Sequence, residues 1–451
     1  MIKCGAAQLA YTPRLGTNIP GYFEQRTADD ILDDLCARAV VFDDGHKTAG
    51  ILMMDLLNIP AAAVRKIRTR IQEFGIDGAN IMIAATHSHT ATAMDVTAKN
   101  YEHAEEIDVD YICARAADAV YLAYRHRTEV KIGFGTAQEN EISFNRRWWM
   151  KDGKVHTWPG VCNPDNIKPA AGIDPEIGII RVDDLAGEPV AVLVNFANHP
   201  DTVGGTAHCA DYIGALSRKL QDSLGEKVVT VFMNGCCGDI THIDYSGKHP
   251  IVKNHHLMIG NKLAADVLKA YGTICPQELD SIDVASKTIE IPRRQFTKDE
   301  YEAALKTAEE IRNRLNTRSE RADQSEEDFA KPTTGDMDVM ALEYAESAIL
   351  LYEHPVFSES VELQAIRVGD IAFSSMPGEM LVEIGFDLKK RSPFAKNFIV
   401  ELANGCNGYI GTKKSFSEGG YEVTLSSYVN LCEDAAETIN STLVELLQKM
   451  R

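Results

Sequence analysis

The chain has 451 residues, of which 45% are apolar and 25% charged, the ordinary balance of a soluble globular protein with a large core. Its 66 acidic residues against 46 Lys and Arg leave a formal charge of −20, which argues against a nucleic-acid surface or an anionic membrane as partner. No apolar run reaches bilayer length, and the N-terminus, Met1-Ile-Lys-Cys-Gly, has no charged segment followed by an apolar signal core. These features set the expectation of a cytoplasmic protein without stable membrane insertion. The ten cysteines are scattered through the chain, so reduced thiols are expected, and Cys236-Cys237 lacks the spacing of a thiolate zinc knuckle.

In chain order, residues 1–25 contain the stretch Ala10 to Tyr22, with Thr12-Pro13 and Gly21-Tyr22, whose two prolines and two glycines read as a loop. Strands over 36–44 and 48–57 follow, joined by the turn Asp43-Asp44-Gly45. Residues 60–74 place Ala63, Val64, Ile67 and Ile71 at helical spacing. The run Ile81 to Ala85 then reads as a buried strand that stops at Thr86-His87-Ser88-His89. On an extended segment, residues i and i+2 face the same side, so His87 and His89 can face one site. Two histidines of this kind are compatible with an ordinary loop or with metal ligation.

Residues 108–126 read as an alanine-rich helix, and 143–149 read Ser-Phe-Asn-Arg-Arg-Trp-Trp. There Arg146 is either a surface residue near an aromatic anchor or a binder of a carboxylate or oxyanion. Residues 189–200 read as a buried strand that ends on Asn198-His199-Pro200, followed by Asp211 and a helix from about Tyr212. The strand Val228 to Met233 runs into Asn234-Gly-Cys-Cys-Gly238-Asp239-Ile-Thr241-His242. Three apolar strands thus end in histidine-bearing polar loops, which points to a shared site.

Residues 297–354 read as a helical hairpin protruding from the core, with a helix opened by Thr297, a polar stretch over 316–336 and a second helix at about 337–353. Its charges read as a solvated face. The strand at 370–375 leads through Pro377-Gly378 to Glu379, placed either to favour a helix N-terminus or to ligate a metal. The strand at 397–403 enters a Gly/Asn loop carrying Tyr409, with Tyr421 twelve residues on, and 428–449 is a terminal helix. The whole reads as an α/β fold: a mixed, largely parallel sheet core flanked by helices, with the helical hairpin inserted. His87, His199 and Glu379 supply the two histidines and one carboxylate of a catalytic zinc site.

In these stretches the chain resembles the catalytic domain of the neutral/alkaline (non-lysosomal) ceramidase family. The matches are Thr86-His87-Ser88-His89, Asn198-His199-Pro200, Asp211, Gly238-Asp239-Ile240-Thr241, Pro377-Gly378-Glu379 and Asn407-Gly408-Tyr409 with Tyr421, in family order. The resemblance implies a single zinc-hydrolase domain over 1–451. It implies Zn2+ held by His87, His199, Glu379 and Tyr409, with His89, Arg146 and Tyr421 around the substrate amide, and Asp211 and Asp239 beside them in substrate binding. Trp148 and Trp149 are expected to wall the cavity. Thr241 stands where the family carries a reactive serine, and is expected to position substrate or water.

The signal peptide and C-terminal β-sandwich that the family's secreted members carry are expected to be absent. The expected substrate is therefore a small soluble N-acyl compound, cleaved by a metal-activated water. An esterase or lactonase and a catalytically decayed binding protein are the alternatives, and a homo-oligomer stays open.

Overall fold

The computed structural model describes residues 1–92, 94, 107–322 and 334–451. The main sheet has eight strands, in the order Val229–Asn234, Pro189–Phe196, Glu176–Asp184, Thr128–Gln138, Lys3–Ala10, Cys36–Asp43, Thr48–Met54 and Ile81–Ala85. A second sheet has four, in the order Ile282–Pro292, Ser358–Val368, Ile371–Ser375 and Lys396–Val400. The expected α/β class is the observed one. Strand direction differs from the expectation: of the seven described pairings in the large sheet, five are antiparallel and two parallel. Burial on both faces makes any strand a continuous apolar run, so the run itself carries no record of direction.

Side-chain alternation explains the layers. Ala37, Ala39, Val41, Leu52, Ile81 and Ile83 face the helices Ala61–Glu73 and Val109–Arg125. Farther along the same sheet, Ile177, Ile179, Val192, Val194 and Phe232 face the helices Asp211–Leu224 and His255–Tyr271. The opposite face, with Val40, Phe42, Met82, Leu193 and Met233, packs on Ile366, Phe373 and Phe398 of the second sheet. That sheet's outer face packs on the helices Val382–Arg391 and Ala435–Lys449. The order is helices, sheet, sheet, helices. Burial of each Leu, Ile or Phe in these layers contributes about 1.5–3 kcal/mol.

Three strand–helix–strand crossovers between parallel strands matter most. Thr48–Met54 pairs in parallel with Ile81–Ala85 across the helix Ala61–Glu73. Pro189–Phe196 pairs with Val229–Asn234 across Asp211–Leu224. Ile371–Ser375 pairs with Lys396–Val400 across Val382–Arg391. Ligand sites in such units lie beyond the carboxyl ends of the strands. Residues 401–404 join the three ends: Glu401 N–H donates to Asn234 O (2.9 Å), Ala85 N–H to Leu402 O (3.2 Å) and Asn404 N–H to Ile83 O (2.7 Å). One short segment therefore bonds to both edge strands of the large sheet.

The helices Lys298–Ala322 and Thr334–Glu353 lie side by side, joined by Ala304, Ala308, Ala345 and Ala348 and by the Arg312–Glu346 pair. Thr297 and Glu300 form a reciprocal cap at the first helix, with Thr297 N–H donating to Glu300 Oε2 (2.7 Å) and Glu300 N–H to Thr297 Oγ1 (3.3 Å). The polar stretch expected over 316–336 lies partly outside the described residues.

Candidate active site

The chain leaves Ala85 and turns sharply. Thr86 N–H donates to Met54 O (2.8 Å) and His87 N–H to Leu56 O (2.9 Å). His87 adopts φ 72°, a left-handed conformation that costs a branched or bulky residue energy and is typical of strained functional positions. Its Nδ1 lies 2.7 Å from Leu57 O and donates to it, which leaves the Nε2 lone pair facing inward. His199 is oriented the same way, with Nδ1 donating to Cys237 O at 3.3 Å. Cys237 is held in turn by its N–H bond to Glu401 Oε2 (2.7 Å).

The two inward nitrogens, His87 Nε2 and His199 Nε2, are 3.1 Å apart. His89 Nε2 is 3.4 Å from His87 Nε2. Glu379 Oε2 lies 3.2 Å from His87 Nε2 and 3.9 Å from His199 Nε2, without a well-aligned hydrogen bond of its own. The Glu379 backbone is fixed by its N–H bond to Gly408 O (2.9 Å) and by the close approach of Gly238, where a Cβ would fall 2.7 Å from Glu379 O. His87, His89, His199 and Glu379 are all buried.

Burial disfavours a charged imidazole, yet the Glu379 carboxylate more than offsets this at His87 and raises its pKa. Burial and then the charge on His87 drive His199 well below its ordinary value and His89 down to about 3. Glu379, despite burial, is lowered to about 2 by His87 and His199. His89 and His199 thus carry neutral nitrogens beside an ionised Glu379, while Glu379 favours a proton on His87 that metal binding there would have to displace. Atoms ligating a tetrahedral zinc at ~2.1 Å lie roughly 3.4 Å from one another, so the observed spacing of these donors fits such an ion. His87, His89 and His199 also form a group able to hold a metal by themselves.

Tyr409, expected as the fourth ligand, is brought to the cluster: it is buried, bonds Glu379, and has its pKa raised well above 10 by burial and by Glu379. Arg146 lies behind it. Its Nε donates to Glu422 Oε1 (2.8 Å), its Nη2 is buried without a hydrogen-bond partner, and its guanidinium sits 5.4 Å from the Tyr409 ring and 5.8 Å from the Tyr421 ring. Tyr421 packs edge-on to Tyr409 with centroids 5.2 Å apart. The Thr241 hydroxyl accepts Ile243 N–H (3.3 Å), a bond within its own loop.

Four of the expected site residues make their described contacts elsewhere. Asp211 spends its carboxylate on Thr202, Val203 and Tyr212, stapling the loop after His199 to the start of a helix. Asp239 accepts Val382 N–H (2.8 Å) and Asn145 Nδ2 (2.7 Å), so it anchors a helix start and the Arg146 strand. Both carboxylates are engaged by the protein's own donors. Trp148 donates its indole N–H to Asn145 O (2.9 Å) and meets Tyr245 edge-on, and Trp149 lines a surface hollow with Ile167 and Lys168. The aromatic at the site is instead Trp158, 43% exposed, 5.4 Å above the Arg146 guanidinium and 4.7 Å from the Tyr421 ring.

Sequence reasoning also missed Glu422, which holds Arg146 and accepts from Thr157 Oγ1 (2.8 Å). Its one signal is its place next to Tyr421. Asp201 was missed as well; it pairs with His242 Nδ1 at 2.9 Å and links the His199 loop to the Thr241 loop.

No known family model matches the chain, and no curated protein matches it in sequence. Its fold does match solved structures. Neutral ceramidase from Pseudomonas aeruginosa superposes with a TM-score of 0.72 over 100% of this chain and 74% of that one, at 15% identity. A ceramidase complexed with C2 superposes with a TM-score of 0.71 over 100% and 75%, at 16% identity. The chain has the fold of these ceramidases.

Proposed function

We propose that this protein is a zinc-dependent hydrolase of an amide bond in a small N-acyl substrate. The observation that carries the reading is the convergence of His87 Nε2, His199 Nε2 and Glu379 Oε2, each imidazole oriented by a backbone carbonyl, on a fold shared with ceramidases. His87, His199 and Glu379 would hold the ion, with Tyr409 as fourth ligand. When bound, the ion supplies Lewis acidity and lowers the pKa of water toward about 7.

The chain's own groups do the rest. The unpartnered Arg146 Nη2 and the Tyr421 hydroxyl donate to the carbonyl oxygen as negative charge develops there, in a buried setting where such donors act strongly. His89, beside His87, would take a proton from water and return it to the leaving amine. Glu422 keeps Arg146 aimed. Trp158 and Tyr421 offer an apolar shelf to the acyl group. Among the described residues no helix is long and apolar enough to cross a membrane, and all ten cysteines are free thiols.

Metal analysis of the purified protein, followed by a mass-spectrometric screen of N-acyl amino acids, N-acyl ethanolamines and N-acyl sphingoid bases, tests this. About one zinc per chain with cleavage of one class is the expected result. A protein that takes up no metal at these residues overturns it.

A further inference from the structure

We infer that the helix Thr334–Glu353, through Tyr344 and Ser347, and Arg294, just ahead of the helix Lys298–Ala322, together brace the loop carrying Tyr421; the consequence for turnover rests on the amide-hydrolase reading above. The loop 420–431 is poor in regular structure: it holds the 3-10 turn Tyr421–Val423 and an isolated Ser426–Val429 bridge. Its backbone carbonyls need donors from elsewhere. Arg294 provides three. Its Nη1 donates to Val423 O (3.0 Å), its Nη2 to Val429 O (2.7 Å) and its Nε to Leu431 O (3.2 Å), while its backbone N–H bonds Asn430 O (2.7 Å). The guanidinium also packs 4.8 Å from the Phe416 ring.

Farther along, Ser347, buried on the second helix, donates to Ser427 Oγ (3.1 Å). Tyr344 meets the Tyr428 ring at 6.5 Å, and Tyr428 meets Tyr421 at 5.9 Å, so a column of aromatic rings runs from the helix to the candidate site. The backbone of Tyr428 then reaches the site directly. Its carbonyl accepts Tyr409 N–H (2.9 Å), and a Cβ on Gly408 would fall 1.8 Å from that same oxygen. Gly408 in turn holds Glu379 through the bond from Glu379 N–H (2.9 Å). Arg294 ahead of the first helix and Tyr344 and Ser347 on the second therefore converge on one loop, and that loop touches Tyr409 and presents Tyr421. Arg294 and Tyr344 are positioning residues: they meet the loop and leave the reacting atoms to Tyr421 and Tyr409.

The test is amide hydrogen exchange of the full-length protein, with and without zinc, in Arg294→Ala, Arg294→Lys and Tyr344→Ala. Exchange over 421–431 should rise about 10-fold or more in the alanine variants while the strand 371–375 stays protected, and Arg294→Lys should recover part of the protection. With a cleavable N-acyl substrate, kcat should fall about 10-fold at unchanged zinc content and nearly unchanged KM. If Arg294→Ala does not fold, Tyr344→Ala and Ser347→Ala carry the same measurement. Unchanged exchange over 421–431, or a rise equal across the whole chain, overturns the brace. A rise confined to 421–431 with undiminished turnover overturns its role in positioning. If the wild-type chain cleaves no N-acyl compound, the hydrolase reading fails, and the exchange result still decides the brace.

Discussion

His87 and His199 stand 112 positions apart in the chain, and their Nε2 atoms are 3.1 Å apart. One follows an edge strand of the eight-stranded sheet and the other the strand next to the opposite edge. They meet because residues 401–404 bond to both edge strands and because His89 N–H donates to Pro200 O (3.0 Å), tying the two histidine loops together.

The metal set is separable by mutation. Glu379→Ala and His199→Ala should bind no stoichiometric zinc by plasma mass spectrometry and should be inactive. His89→Ala should keep its zinc and lose about 10²–10⁴-fold in turnover, as expected for a lost acid–base group. If His89→Ala empties the site, the three histidines hold the ion and His89 is a ligand.

Arg146 should separate binding of metal from stabilisation of the oxyanion. Arg146→Ala should lower kcat about 10²–10³-fold with zinc retained. Glu422→Ala, which leaves the guanidinium in place but unsupported, should cost less in kcat, and the double variant should be no worse than Arg146→Ala alone. Steady-state kinetics with metal analysis checks both. Additive losses would show that Glu422 acts on its own account.

Thr241 spends its hydroxyl within its loop. Thr241→Ala should keep hydrolysis within about 10-fold of wild type and lose roughly 0.5–1.5 kcal/mol of stability, measured by urea unfolding. A covalent acyl adduct on Thr241 in intact-protein mass spectra would overturn this.

Trp158 should govern acyl recognition. Trp158→Ala should raise KM about 3–10-fold for substrates with bulky apolar acyl groups, while Trp148→Phe and Trp149→Phe leave it unchanged. Equal KM effects from all three would remove Trp158 from the shelf.

Asp239 predicts a pH effect on stability. Burial pushes its carboxyl up to about 6, against the pull of Val382 N–H and Asn145. A raised folded-state pKa means that the native protein holds this proton more tightly than the unfolded chain does. The resulting stabilisation is complete below the unfolded value of about 4 and is lost as pH rises through 6. Wild type should therefore lose stability relative to Asp239→Asn between pH 4 and 7, and melting temperatures of the two proteins across that range measure it. A flat difference would show that Asp239 titrates normally.

Local pattern by itself determined where the candidate ligands lie. His87, His199 and Glu379 each follow a buried apolar run that ends in a polar or turn residue, Thr86, Asn198 and Pro377-Gly378 respectively, and a parallel strand–helix–strand unit puts such ends on one side of a sheet. The helix Ala61–Glu73 and the capped helix beginning at Lys298 were legible for the same reason, since periodicity and caps are properties of a few adjacent residues. Strand direction was not legible, because burial on both faces erases the alternation that would reveal a neighbour. Nor was the choice among tryptophans. The strands Arg147–Met150 and Val155–Thr157 pair with Arg147 opposite Thr157, so Trp158 returns beside Arg146 and its N–H bonds Arg146 O (3.2 Å), while Trp148 and Trp149 lie farther along the hairpin. The carboxylates divide in the same way. Asp211, Asp239, Glu379 and Glu422 look alike in one dimension, and only tertiary packing decided which met backbone N–H groups, which met Arg146 and which met two imidazoles, because a buried carboxylate takes its role from the donors within about 3 Å of it.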